Sequence, residues 1–408
     1  MLTELAGIAG GVLLLPFFST AEARELALIS QRFRALARSF PWHDPATPVC
    51  DLVRWRACFP WATACRVSPR ADMGAVWEAL ELVRDIRWVS FRECIGLQLA
   101  SDRLELFAET ESLFLADGQV AGDTDPRTLR RVRDLGLWCD LGDEHLTHLP
   151  WLRTLDVFGN LRITDAGLRP LSQLHTLVLN GATMEYDDRV LAQFDAMINE
   201  HMNGDADAHA HAHMNEHMNG DADAHADADA HAHAHARADI VECANLSDAA
   251  IAGKPLEYLY VLAIACSFSG AVIAAMPLRQ LCLRSCPRAK VEPGDLAALT
   301  RLDFLCIIDC PGVAIGDADI GQMTQLALLT LINCAARVTG EGLLRLVYLQ
   351  MEMQMEMQQQ VQQQVQQQLH RCDIRGCPDA LITGSDYAEL SEYIDKIDFD
   401  NVLDDGPD

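Results

Sequence analysis

LRQLCLRSC (278–286), LDFLCIIDC (302–310) and LALLTLINC (326–334) follow one another at a spacing of 24 residues, and all three read L-x-x-L-x-[LI]-x-x-C. A fixed period of this length means that one supersecondary unit is stacked on copies of itself. Within the phrase, apolar residues two apart are those of a short strand that turns one side inward. The closing position lies where the chain bends away and its backbone groups need partners, a place that suits Asn or a small thiol.

Working outward, weaker copies begin at Leu256, Leu174, Leu152, Val132, Thr110, Ile86 and Ala62. IRWVSFREC (86–94) and LRTLDVFGN (152–160) are close matches, whereas the copies at Thr110 and Ala62 are marginal. A last copy, LHRCDIRGC, begins at Leu369, 43 residues after Leu326, and removing the 19 residues 350–368 restores the spacing of 24. The total is about eleven. Downstream come ITDAGL (163–168), LSDAAI (246–251) and VTGEGL (338–343), in which a polar residue precedes and caps a short helix. Each repeat is then one strand and one helix. No repeat buries its apolar face alone, but at roughly 1.5–3 kcal/mol per buried Leu, Ile or Val a stack offsets the entropy of ordering.

The repeat wording resembles the cysteine-containing subclass of leucine-rich repeats over residues 62–382, interrupted at 195–239 and 350–368. The resemblance implies an α/β solenoid, a horseshoe with parallel strands on the concave side and helices outside. It also implies association with ubiquitin ligases, since the subclass is common in their substrate adaptors.

Residues 1–40 read as a helical head. Leu5, Ile8, Val12, Leu15, Leu26, Ile29, Phe33 and Leu36 recur at helical intervals, broken at Pro16 and Ser19-Thr20. LLPFFSTAEARELALISQRFRALA (14–37) resembles an F-box, chiefly through ISQRFRAL. That resemblance implies that Leu15, Pro16, Leu26, Ile29 and Phe33 dock on a Skp-type linker protein and so on a cullin. The alternative is a plain helical cap for the first repeat, which a solenoid needs in any case. Residues 41–61, with their prolines and tryptophans, form an ordered connector. After the last repeat, residues 383–408 give a cap with a helical stripe of Tyr387, Leu390, Ile394 and Ile397, followed by an acidic tail.

The net charge of −27 is concentrated. Residues 195–239 hold ten acidic side chains against Arg237, and 386–408 hold nine against Lys396, so the two stretches supply −9 and −8 of it. Such a surface excludes nucleic acid as a partner. The first stretch repeats EHMNGDADAHA and lacks the residues for a core, and although nine of the 14 histidines lie there, no tetrahedral metal-ligand spacing appears. The second interruption, MEMQMEMQQQVQQQVQQQ, holds good helix formers able to lengthen the preceding helix.

Of 14 cysteines, Cys94, Cys286, Cys310, Cys334 and Cys377 close the repeat phrase, which assigns them to packing as reduced thiols and the chain to the cytosol or nucleus. GIAGGVLLLPFF (7–18) imitates a secretory signal, but Glu4 stands where a cation is wanted, and the run is too short and glycine-broken to cross a membrane. A secreted receptor would require that signal reading and paired cysteines.

Catalytic motifs are missing: there is no G-x-S-x-G, no H-E-x-x-H and no glycine-rich phosphate loop. Asp143, Glu144, His145 and His148 are adjacent, but they lie in the helix of their repeat, on a solvated outer face. No enzyme activity, metal or cofactor is expected. Binding is expected on the concave strands, at the positions between the inward ones: Trp88, Arg92, Trp138, Phe158, Tyr258, Tyr260, Arg284, Phe304 and Ile308, with Leu328 and Ile332 extending an apolar patch. The expected function is recognition of a protein target on that face, as substrate adaptor of an F-box (Skp-cullin) ubiquitin ligase. The alternative is a repeat scaffold with no ubiquitin role.

Overall fold

The computed structural model describes residues 19–29, 31–79, 81, 84–91, 94, 105–115, 129–137, 142–158, 163–181, 246–262, 264, 266–358, 368–400 and 402–403. Strands β1 (Pro48–Val49), β2 (Ala64–Val67), β3 (Trp88–Phe91), β4 (Ser112–Leu115), β5 (Asp134–Leu137), β6 (Thr154–Phe158) and β7 (Thr176–Asn180) run in chain order. They are followed by β8 (Tyr258–Leu262), β9 (Gln280–Arg284), β10 (Phe304–Ile308), β11 (Leu328–Ile332), β12 (Arg371–Arg375), β13 (Ile382–Thr383), β14 (Lys396–Phe399) and β15 (Val402–Leu403). Thirteen of these, β1 to β12 and then β14, make one open sheet in sequence order, every pair parallel. With a short helix or turn returning the chain between strands, this is an α/β leucine-rich-repeat solenoid.

Each of the eleven phrases carries a strand, the marginal ones at Ala62 and Thr110 included, and the register matches phrase to phrase. Leu259, Leu281, Leu305, Leu329 and Cys372 lie side by side, all fully buried. Both ends differ from expectation. The connector is already part of the sheet, since β1 pairs with β2 and Asp51 caps a helix over Leu52–Cys58 by accepting from the Arg54 amide. At the other end, helix Gly384–Leu390 stops short, and Ile397 lies on β14, which extends the sheet beyond β12. Ile394, Ile397 and Phe399 keep the phrase's spacing of one, four and six, so the cap is a further repeat whose signal was read with helical rather than strand periodicity.

The bend after each strand has a fixed conformation. Ser285, Asp309, Asn333 and Gly376 precede the closing Cys in successive repeats, and all four take left-handed φ between 50° and 60°. The twist aims three of the amides at the last carbonyl of the next strand, Ser285 at Ile308, Asp309 at Ile332 and Asn333 at Arg375, at 2.8–2.9 Å, and that of Gly376 at the Asp400 carboxylate. The closing thiols do the reverse, donating to the previous repeat: Cys286 to the Val261 carbonyl (3.3 Å), Cys310 to Leu283 (3.4 Å) and Cys377 to Leu331 (3.4 Å). A thiol is selected because it is small, apolar enough to bury and still a donor.

Helix starts are stapled across repeats. Thr164 caps the helix Asp165–Leu168 by accepting from the Ala166 amide, and its own amide (2.8 Å) and hydroxyl (2.5 Å) bind Asp143 of the repeat before. The same pair of bonds joins Ser269 to Asp248, and Thr339 to Asp317. Asp143, expected on a solvated face, is therefore a structural carboxylate. Ser247 bonds in the same way to Asp165, across the whole of the 195–239 interruption, which lies outside the described residues. Lys254 reinforces that junction, its buried ammonium donating to the carbonyls of Leu168 and Leu171 at 2.8 and 2.9 Å.

The second interruption does lengthen the preceding helix, which runs over Gly340–Gln358. Its first residue by sequence, Gln350, is 3% exposed and works for the core. Its amide nitrogen donates to the carbonyls of Thr324 and Leu326, and its oxygen accepts from the amide of Leu369, where the next repeat resumes.

Candidate functional site

The face of the sheet turned away from the main core carries alternate residues of every strand. From β8 to β11 most of these are apolar, with Gln280, Arg284 and Thr330 set among them. Val178, Tyr260, Leu262, Cys282 and Cys306 form a second buried cluster, with Tyr258, Phe304 and Ile308 half-buried upon it. Strand register explains the contact: Val178, Tyr260, Cys282, Cys306 and Thr330 occupy one row, so each touches the next at the sheet spacing of about 4.8 Å. The rows on either side hold Phe304 beside Leu328 and Ile308 beside Ile332, all four half-exposed.

The expectation that Tyr260 is exposed is corrected: it is 1% exposed, and its hydroxyl donates to Gln280. Burial also pushes its phenol well above the ordinary tyrosine value. Trp88 is buried likewise, in a smaller cluster with Ala64 and Phe114, the Trp88 and Phe114 ring centroids 5.6 Å apart. The physical reason is common to both. Parallel strands set large side chains of one row close enough to cover one another, and Phe114 gains further room because its neighbour is Gly136, where a Cβ would stand 2.4 Å from its ring. Tyr258, Arg284, Phe304 and Ile308 remain half-exposed as expected. Arg92 and Trp138 lie outside the described residues, and Phe158 is described only as the last residue of β6.

Sequence reasoning missed the floor. Cys282 and Cys306 looked like variable positions of the phrase, yet they are 0% and 7% exposed and belong to the buried cluster on which Phe304 and Ile308 rest. Their signal was an apolar residue at the middle variable position in consecutive repeats. Toward the amino terminus the same row turns polar, with Asp156 6% exposed, and Ser112 donating to Asp134 at 2.6 Å in the row beside it. Toward the carboxy terminus it ends in charge: Arg375 donates to both oxygens of Asp373 at 2.7 and 2.9 Å. The apolar half-exposed residues are thus bounded at both ends along the array.

Of the head residues, Leu15 and Pro16 lie outside the described residues, while Leu26, Ile29 and Phe33 lie on α1 (Thr20–Ile29) and α2 (Gln31–Ser39). Phe33 is half-buried against Ala23, Ala37, Trp42, Phe59 and Ala62, the cluster joining the head to the array. Trp42 Nε1 donates to the Ala37 carbonyl at 2.7 Å, and Asp44 accepts from the amide and hydroxyl of Thr20 at the start of α1. Among the described residues no group of three metal-ligating side chains occurs, and no helix is long and apolar enough to cross a membrane.

No protein-family model matches the chain, and no curated protein matches it. Among solved structures, an internalin from Listeria monocytogenes is similar at 13% identity, with a TM-score of 0.35 over 81% of this chain and 89% of that one. A leucine-rich-repeat protein from Leptospira interrogans is similar at 11% identity, with a TM-score of 0.34 over 86% of this chain and 93% of that one. Likeness at this level carries no argument about function, and the fold assignment rests on the phrases and the strand register.

Proposed function

We propose that the protein is a binding scaffold, and that a protein ligand seats on the concave strands β8 to β11. One observation carries this reading: Phe304, Ile308, Leu328 and Ile332 are half-exposed on two adjacent strands, held on a fully packed layer of Tyr260, Cys282 and Cys306. Apolar side chains fixed in this way lose little freedom on binding and present a preorganised surface. The charged Arg371, Asp373 and Arg375 at one border are placed to set orientation. Buried thiols that serve as donors favour a reducing compartment, cytosol or nucleus, and the role proposed is binding rather than catalysis.

The test is proximity labelling with the full chain and with Phe304→Ser/Ile308→Ser. Both positions are half-exposed, so the fold is retained, and the variant is expected to lose the labelled partners. An unchanged partner set removes the reading.

The adaptor role is a finer reading that rests on ISQRFRAL. The packing of Phe33 against the cluster that joins head and array favours the plain cap, because a side chain used to hold the head on the array is not available to a linker protein. Calorimetric titration of a Skp-type linker into the full chain decides it: submicromolar binding abolished by Phe33→Ala, with unfolding unchanged, restores the adaptor reading, and no binding leaves the scaffold alone.

A further inference from the structure

The residue just before each strand stands on one edge of the sheet, and its amide bonds to the carbonyl of its counterpart one repeat earlier, which makes a continuous row. Over much of the row the charges alternate and pair. Arg87 lies 3.7 Å from Glu111, and Arg279 lies 3.1 Å from Asp303. Between those pairs the alternation fails. Arg133, Arg153 and His175 occupy three consecutive places, Arg153 bonded through its amide to the Arg133 carbonyl and His175 to that of Arg153.

Both arginine side chains are exposed, and neither makes an ion pair among the described residues. His175 Nδ1 donates to the Gln173 carbonyl at 2.7 Å, which fixes the ring in place. Neighbouring strands put the three groups within about 10 Å of one another. In a chain with 59 acidic residues against 32 Lys and Arg, two exposed arginines in adjacent places without an ion-pair partner among the described residues are out of keeping with the rest of the row.

We propose that this edge of β5, β6 and β7 is a second interaction surface, and that its partner is an acidic polypeptide segment. Guanidinium groups fork onto carboxylates with two parallel hydrogen bonds, so two arginines a strand apart fit Asp or Glu side chains spaced along an extended or helical segment. The overall charge of −27 does not forbid this, because charges beyond about 8–10 Å are screened at physiological salt and contact is decided locally. The same overall charge disfavours a long polyanion such as RNA, which would run past the two arginines into acidic surface.

The experiment is fluorescence anisotropy with the full chain and a short labelled peptide of alternating Glu and Ala. Arg133→Glu/Arg153→Glu is expected to weaken binding at least about tenfold, as is raising salt to about 0.3 M. Phe304→Ser/Ile308→Ser is expected to leave it unchanged, which separates this surface from the concave one. Arg133→Ala/Arg153→Ala serves as a second variant, and unfolding curves confirm that each is folded. Equal binding by the wild-type chain and both arginine variants overturns the proposal. So does tighter binding of a single-stranded RNA through the same arginines. No binding by the wild-type chain also overturns it, and if binding then appears when the aspartates of 195–239 are changed to Asn, the chain's own acidic tract holds the row.

Discussion

At the scale of single residues the array is held by positions that a hydropathy pattern does not weigh. The left-handed residue before each closing Cys is Ser, Asp, Asn and Gly in four successive repeats. A non-glycine residue there costs about 1–2 kcal/mol, while glycine adds roughly 0.4–1 kcal/mol of unfolded-state entropy. Ser285→Gly is therefore expected to raise the urea midpoint, by about 0.5 kcal/mol in stability. Gly376→Ala is expected to lower it by about 2 kcal/mol, since a Cβ there also stands 2.0 Å from Asn333 Oδ1. Opposite signs in equilibrium unfolding check the pair together. Lys254 makes a different prediction. Burial lowers its ammonium to about 8, below an unfolded value of about 10.4. Between those values the unfolded chain holds more protons than the folded one, so this group adds stability as pH rises through that window and none below it. Thiols and phenols titrate there too, so the measurement is the difference between wild type and Lys254→Met in urea unfolding from pH 7.5 to 10. A difference that does not vary with pH contradicts the assignment.

At the scale of elements, sequence was legible wherever the apolar period survived and misleading where another period overlaid it. All eleven strands were placed because the residues at phrase positions one and four are buried in every repeat and are apolar everywhere but at Thr110. The carboxy-terminal repeat was missed because Ile394 and Ile397 satisfy helix and strand spacing alike. Gln350 was invisible for another reason. It opens a run of Met and Gln that reads as low complexity, and only its three hydrogen bonds distinguish it from its neighbours. Gln350→Leu leaves two carbonyls and one amide without that partner in the core. It is expected to cost about 3 kcal/mol in unfolding free energy, whereas Met355→Leu, at a position 57% exposed on the same helix, is expected to cost under about 0.5 kcal/mol. The head gives the element-scale prediction for acid. Burial alone would raise the Asp44 carboxyl, but the amides and hydroxyls of Thr20 and Thr47 outweigh it and hold it below the ordinary value. A depressed folded value means stability present above about pH 4 and lost as pH falls through the folded one. Trp42 fluorescence in the full chain is expected to report release of the head in that acid range, and Asp44→Ala to abolish that step.

At the scale of the molecule, neighbours alone hold each repeat, so stability is close to a sum over adjacent junctions and an insertion matters only through the junction it interrupts. The junction between β7 and β8 is complete without the chain between them. The strands pair in register, the Gly181 amide donates to the Leu262 carbonyl at 2.9 Å, Ser247 bonds to Asp165, and Lys254 reaches back to Leu168 and Leu171. Deleting 195–239 therefore shortens the excursion from 64 residues to 19 and removes no bond of the junction. Loop-closure entropy grows with the logarithm of length, as (3/2)RT ln n, so the shorter chain is expected to gain about 1 kcal/mol. Net charge changes from −27 to −18 with the loss of ten acidic residues and Arg237, which lowers self-repulsion in the same direction. Urea unfolding of the deletion is thus expected to be a single transition with an equal or slightly higher midpoint. A lower midpoint, or a second transition confined to one side of β7, would show that the tract contributes contacts to the array beyond those of the junction itself.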